Sequence, residues 1–219
     1  MTTDLRGVLG GSRLWDTPAL AEERAALQAF VEAPGPLLLE IGFDHGRRLT
    51  ATAATHPDWR VLGAEVRKRR VAEAQQWATD HGLTNLLPLR VDARTLLACL
   101  LPDASVDVTE LYFPVPWPED DPRDARSLLR AATFSELSRV TRPAGVLLFA
   151  TDVERLAAEA DEAARAAGWR SDVTAWTVRP PITAKSRREW TCDANNVPVY
   201  RRAWRRGQAA CSTAGTVGA

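Results

Sequence analysis

Hydrophobic positions along the chain switch repeatedly between helical spacing and short continuous runs, and each switch marks a predicted element. From Pro18 to Glu32 (PALAEERAALQAFVE), alanine and leucine recur at helical spacing among glutamate and arginine. Asp16 and Thr17 stand before them as cap candidates, so an amphipathic helix is predicted. Leu37-Leu38-Leu39-Glu40-Ile41-Gly42 is an apolar run of strand length that stops at a glycine, and a polar helix candidate from His45 to His56 follows it. The alternation then repeats with strands over Arg60 to Glu65, Leu86 to Asp92, Val106 to Phe113 and Gly145 to Thr151. Helices are expected between and after them, over Arg67 to His81, Ala93 to Leu101, within Arg123 to Thr141, and over Val153 to Ala167. Buried-type strands alternating with helices predict an α/β fold with a mostly parallel sheet covered on both faces. Two last strand candidates, Val173 to Val178 and Val197 to Trp204, suit an antiparallel pair at the end of the sheet.

Composition sharpens this picture without changing it. The 219 residues are 45% hydrophobic and 26% charged, enough for one sizeable core and too apolar for a disordered chain. The expected organisation is an N-terminal extension and helix over 1–34, a main domain over 35–206 and a flexible tail over 207–219. Basic and acidic residues number 28 each, so the chain lacks the basic surplus usual in a protein that coats nucleic acid. Cys99, Cys192 and Cys211 have neither metal-ligand nor C-x-x-C spacing, and an odd count makes a poor disulfide framework. No metal site is expected, and a reducing cytoplasm is the simplest location. No apolar stretch reaches the roughly 18 residues a membrane helix needs, and Met1 to Trp15 lacks a signal-peptide core.

In a sheet of this type ligands bind beyond the carboxyl ends of the strands. Those ends carry Glu40 to Gly46, Glu65, Asp92, Phe113 to Pro118, and Thr151-Asp152, so four of the five places hold a carboxylate. Gly42 and Gly46 allow the first loop to turn tightly and come close to a ligand. Glu65, an acceptor-only group twenty-five residues after Glu40, suits the two hydroxyls of a ribose. Asp92 is placed to accept from an exocyclic amine such as adenine N6. A full G-x-G-x-x-G fingerprint is missing, which disfavours a dinucleotide. An acidic site with these acceptors instead suits S-adenosylmethionine, whose sulfonium is cationic.

The segments Leu38-Leu39-Glu40-Ile41-Gly42-Phe43, Gly63-Ala64-Glu65-Val66, Val91-Asp92-Ala93, Phe113-Pro114-Val115-Pro116-Trp117-Pro118 and Ala150-Thr151-Asp152 carry a resemblance. In order and spacing they resemble the bacterial tRNA (guanine-N7-)-methyltransferase family, from about Leu37 to about Arg206. The P-x-P-W-P element is the most specific of them. The resemblance implies a class I S-adenosylmethionine-dependent methyltransferase fold, Rossmann-like, with a mostly parallel seven-stranded sheet. It implies methyl transfer to N7 of a variable-loop guanine in tRNA as the activity, with tRNA as partner. Glu40 is then expected beside the methionine end of the cofactor, Glu65 on the ribose and Asp92 by the adenine, with Gly42, Gly46 and Val115 completing the cofactor site. Asp152 and Glu189 are implied as catalytic residues, and Trp117, Asp152, Ser186 and Glu189 as substrate contacts. Ser186-Arg187-Arg188-Glu189 stands where the family has T-x-x-E, although an alignment through Thr183 competes with it. Monomer and homodimer both stay open.

The chain also departs from the family pattern. The family reads P-D-P-W-P-K-K-R at the fourth strand, whereas this chain has Val115 for the aspartate and Glu119-Asp120-Asp121 for the basic run, a poor surface for a phosphate backbone. Asp44 replaces the middle glycine of the first loop and is expected either to pair with the methionine ammonium or to crowd the site. Eight Lys or Arg lie between Arg179 and Arg206, interleaved with Trp190, Tyr200 and Trp204. They read either as a nucleic-acid surface or as a solvated edge strand whose aromatics pack inward. Arg123, Arg126 and Arg130 have the spacing of one helix face. Two other readings therefore stand beside the tRNA enzyme: a diverged paralogue that methylates a small molecule or protein, and a catalytically silent module that binds RNA or a partner.

Overall fold

The apolar runs assemble into one seven-stranded sheet in the order β3-β2-β1-β4-β5-β7-β6. The strands are β1 (Leu37–Ile41), β2 (Arg60–Glu65), β3 (Leu86–Arg90), β4 (Val106–Tyr112), β5 (Thr141–Thr151), β6 (Arg170–Ser171) and β7 (Tyr200–Arg205). A computed structural model describes residues 18–116 and 127–207, with side chains from 22 onward. The first five strands pair in parallel, while β7 runs antiparallel to β5 and to β6. The strand order reverses between β1 and β4, which puts the topological switch point there.

Strand parity decides which side chain meets which helix. Leu37, Leu39 and Ile41 face α1 (Pro18–Glu32), α5 (Ala131–Val140) and α6 (Glu154–Ala166) in one apolar layer that includes Leu27, Phe134 and Ala160. Leu38, Val61, Val108 and Val146 face α2 (Arg47–Thr55) and α3 (Lys68–Asp80), packing on Leu49, Ala53, Val71 and Ala74. Gly63, in register with Glu40, shows how close α2 lies: a Cβ there would stand 2.7 Å from side-chain atoms of both Leu49 and Phe43. No described helix is long and apolar enough to cross a membrane, and no cluster of three or more metal-ligating side chains occurs among the described residues.

Several elements differ from the sequence expectation. Strand β3 stops at Arg90, and Asp92 caps α4 (Ala93–Thr95) by accepting from the Arg94 amide at 2.9 Å. That helix opens into a π turn over Leu96–Leu100 instead of continuing as regular helix to Leu101. The strand expected over Val173 to Val178 is a 3₁₀ turn, Val173–Thr177. Asp172 starts it by accepting from the amide of Thr174, and Val173 is 80% exposed, so the β-branched residue has no sheet to pack on. Strand pairing there falls instead on Arg170–Ser171. The last helix, α7, covers Arg187–Ala194, and β7 lies inside the sheet between β5 and β6 rather than at its edge. The cap candidates Asp16 and Thr17, the acidic run Glu119 to Asp121, Arg123, Arg126 and the tail beyond Gly207 lie outside the described residues.

Candidate active site

A cavity of about 1160 Å³ opens at the carboxyl ends of β1, β2, β3, β4 and β5. Glu40, Gly42, Glu65, Asp92, Val115, Asp152 and Ser186 all line it, so seven of the expected site residues share one wall. Gly46 and Glu189 do not line it. Gly46 instead begins α2 in the left-handed region (φ 67°). Glu189 stands behind the wall, its carboxylate 2.7 Å from Arg201 and 3.8 Å from Arg48. Trp117 lies outside the described residues.

Glu40 is 5% exposed and one of its oxygens, Oε2, has no hydrogen-bond partner. Burial, reinforced by the neighbouring Glu110 carboxylate, pushes its pKa up to about 8. An orphaned buried carboxylate oxygen at a cavity wall is an acceptor waiting for a cation. Gly42, at φ 74°, has nothing within 4 Å of where a Cβ would stand, so its backbone is open to close approach by a ligand. Glu65 accepts from the amides of Asp44, Val66 and Arg67, and also from the Arg67 guanidinium at 3.1 Å. Burial opposes its charge, but these hydrogen bonds prevail and hold its pKa below the ordinary carboxylate value. Asp92 is treated in the same way: burial is outweighed by hydrogen bonds from Arg94. These acceptors fit S-adenosylmethionine, with Glu40 suited to the ammonium, Glu65 to the ribose and Asp92 to the adenine amine. Arg67 and Arg94 now hold the last two carboxylates and would have to share them.

Sequence reasoning missed the polar layer beneath this wall. Glu110 lies opposite Glu40 in the β1–β4 register and is 1% exposed. Arg48, from α2, reaches both Glu110 oxygens at 3.1 Å, donates to the Ala184 carbonyl at 3.2 Å, and lies 4.7 Å over the Tyr112 ring. Arg179 approaches Glu110 at 3.6 Å. The available signal was parity: Glu40 and Glu110 each interrupt an apolar strand on the face that α2 covers.

Ser186 caps α7, its hydroxyl accepting from the Glu189 amide at 3.1 Å. The S-x-x-E spacing is thus a helix start, a role that serine and threonine fill alike. Asp152 accepts from the Arg188 guanidinium at 3.0 Å. Asp44 takes a left-handed φ of 48°, which accounts for a glycine at that place in the family pattern, and its carboxylate pairs with Arg67 and Arg70 at the cavity mouth. Phe113 is also left-handed, at φ 50°, where β4 turns into Pro114 and Val115. Val115 is 60% exposed on the rim.

Two electrostatic expectations need correction. The lining is not acidic overall, because six arginines accompany its five carboxylates. The segment from Arg179 to Arg206 is not an edge, since β7 lies between β5 and β6, and most of its basic side chains are paired. Arg179, Lys185, Arg188, Arg201, Arg202 and Arg205 each reach a carboxylate, and Arg206 reaches the Thr141 carbonyl. Trp204 is 3% exposed and packs on Phe134 and Phe149. Trp190, by contrast, is 62% exposed.

Strand order, switch point and the carboxylates around one cavity define the class I methyltransferase fold. Solved structures agree. The aminoglycoside resistance methyltransferase NpmB1 superposes with a TM-score of 0.58 at 16% identity, covering 84% of this chain and 93% of that one. The [4+2]-cyclase SpnF matches with a TM-score of 0.54 at 18% identity, covering 87% and 82%. A cyclase among the neighbours shows that this likeness speaks for the fold alone. The family whose model is described as "Putative methyltransferase" matches residues 34–201, and the chain belongs to that family. Its relatives include proteins named tRNA (guanine-N(7)-)-methyltransferase. The one from Thermus thermophilus is 38% identical over 159 residues, 71% of this chain and 49% of the relative. The one from Anaeromyxobacter dehalogenans is 35% identical over 174 residues, 78% and 86% of the two. The match therefore spans only about half the length of the Thermus relative.

Proposed function

We propose that this chain is an S-adenosylmethionine-dependent methyltransferase acting on N7 of a variable-loop guanine in tRNA, in the cytoplasm where that substrate is found. The observation that carries the reading is the convergence of Glu40, Glu65, Asp92 and Asp152 on one cavity at the switch point, in a chain similar to enzymes that bear that name. Bound S-adenosylmethionine supplies an electrophilic methyl group on a sulfonium. Guanine N7 already presents a lone pair, so no general base is required of the protein. Catalysis then reduces to positioning nucleophile and methyl in line, about 3 Å apart. Glu40 anchors the amino-acid end, Glu65 and Asp92 orient the nucleoside, and Gly42 leaves room for close approach. Asp152, steadied by Arg188, offers acceptor oxygens to the N–H donors on a guanine edge, and Ser186 holds the start of α7 beside it. Glu189 supports that helix through Arg48 and Arg201.

Val115 favours a second reading, a diverged member that methylates a small molecule or protein, because a valine on the rim cannot accept a hydrogen bond. Calorimetric titration with S-adenosylmethionine, followed by incubation of labelled cofactor with unmodified tRNA, tests both. Cofactor binding with label in tRNA supports the first reading, and binding without tRNA labelling transfers support to the second. Absence of cofactor binding overturns both.

A further inference from the structure

Arg187 differs from the other basic residues of its segment. Among the described residues its guanidinium meets no carboxylate or carbonyl; it faces His45 Nε2 at 3.2 Å. On the other side of the same imidazole, Arg70 stands 2.8 Å from Nδ1. A neutral imidazole has one acceptor nitrogen and a protonated one has none. Whichever tautomer His45 adopts, at least one guanidinium therefore confronts an N–H donor. Compensation from carboxylates is partial. Asp44 sits 3.4 Å from Arg70 but shares that oxygen with Arg67, and its other oxygen is 3.8 Å from His45, beyond hydrogen-bond range. Glu73 pairs with Arg70 at 3.1 Å and reaches neither His45 nor Arg187 in any described contact. Three elements thus bring an excess of donors to one point on the cavity mouth: the loop before α2, α3 and α7.

With Arg70 donating to Nδ1, the ring proton sits on Nε2 and points at Arg187, and an anion at the cavity mouth satisfies both by accepting from the Nε2–H and the Arg187 guanidinium. Trp190 lies three residues beyond Arg187, on the same face of α7 and exposed to solvent. A large aromatic beside an anion site is the usual combination for phosphate contact with base stacking. We propose that His45 and Arg187 bind a phosphodiester of the substrate RNA, with Arg70 holding the imidazole from its other side and Trp190 stacking a neighbouring base, so that an adjacent nucleotide is fixed while the target guanine enters the cavity. This inference rests on the tRNA reading above and adds to it the surface that replaces a basic run after the fourth strand.

The test measures binding of unmodified tRNA transcript across salt concentrations, with melting temperature as a check on folding. Arg187→Gln is expected to weaken binding roughly tenfold and to make the slope of log affinity against log salt shallower by about one. Arg187→Lys should restore the slope. Trp190→Ala should weaken binding by roughly fivefold or more and leave the slope unchanged, because stacking releases no counterions. If Arg187→Gln and Trp190→Ala bind tRNA with wild-type affinity and slope while the wild type methylates tRNA, the subsite is wrong and the function stands. If the wild type neither binds nor methylates tRNA, both are overturned.

Discussion

Glu40 carries the sharpest consequence at the scale of single residues. It is buried beside Glu110 with one oxygen unpartnered, and its pKa is raised from 4.5 to about 8. For a carboxyl raised in the folded state, the folded chain holds its proton while the unfolded chain has lost it. Its contribution to stability is therefore complete below about pH 4.5 and disappears as pH rises toward 8. Urea denaturation of the ligand-free protein should show stability falling across that window by at most about 1.4 kcal/mol per pH unit from this group. Glu40→Gln should flatten the slope, and parallel slopes would contradict the assignment. The same proton links to ligand binding. A cationic ammonium needs the carboxylate ionised, so calorimetry of S-adenosylmethionine near pH 7 in buffers of differing ionisation enthalpy should detect proton release, lost in Glu40→Gln. Val115 gives a prediction of opposite direction. Restoring an acceptor on the rim with Val115→Asp should raise the rate of tRNA methylation, by as much as roughly one hundredfold if a missing charge-orienting group limits it. An unchanged rate would remove that position from the explanation.

At the scale of elements, two local arrangements aim the site. Gly63 lets β2 pass under Leu49 and Phe43, so Gly63→Ala should force the first loop outward and cost about 1–3 kcal/mol in thermal or urea unfolding. Ser186 fixes the start of α7, and Ser186→Ala should cost about 1 kcal/mol, while Ser186→Thr should be close to neutral in the same assay. These elements also show what could be read from the chain. Strand runs such as Leu37 to Ile41 and Arg60 to Glu65 were legible because burial on both faces leaves a continuous apolar signature. Their terminal carboxylates followed from the rule that α/β sheets bind ligands at the strand ends. Val173 to Val178 misled because β-branched composition was read without the Asp172 cap, a local side-chain bond that starts a helical turn. The Arg48–Glu110 pair was hidden for another reason: its partners are 62 residues apart and meet only when α2 packs on the sheet.

For the whole molecule, the balance of 28 basic and 28 acidic residues is accompanied by many ion pairs among the described residues. The arginines of the C-terminal segment tie α6, α7 and β7 to one another and to the sheet, as in Arg202 with Asp161 and Arg205 with Asp172. Neutrality therefore does not describe an inert surface: Arg187, which meets no carboxylate among the described residues, faces His45 at the cavity mouth. The carboxylates around the cavity could be anticipated from strand ends, whereas this cluster depends on three segments brought together by the fold. Under the proposed function this cavity delivers a methyl group to guanine N7 in tRNA. The most direct test is incubation of the purified protein with S-adenosylmethionine and an unmodified tRNA transcript, then nuclease digestion and mass spectrometry of the nucleosides. The expected product is 7-methylguanosine derived from one variable-loop guanine, abolished or strongly reduced by Glu40→Gln and by Asp152→Asn. A transcript recovered without 7-methylguanosine, from protein that binds the cofactor, would contradict the proposed function.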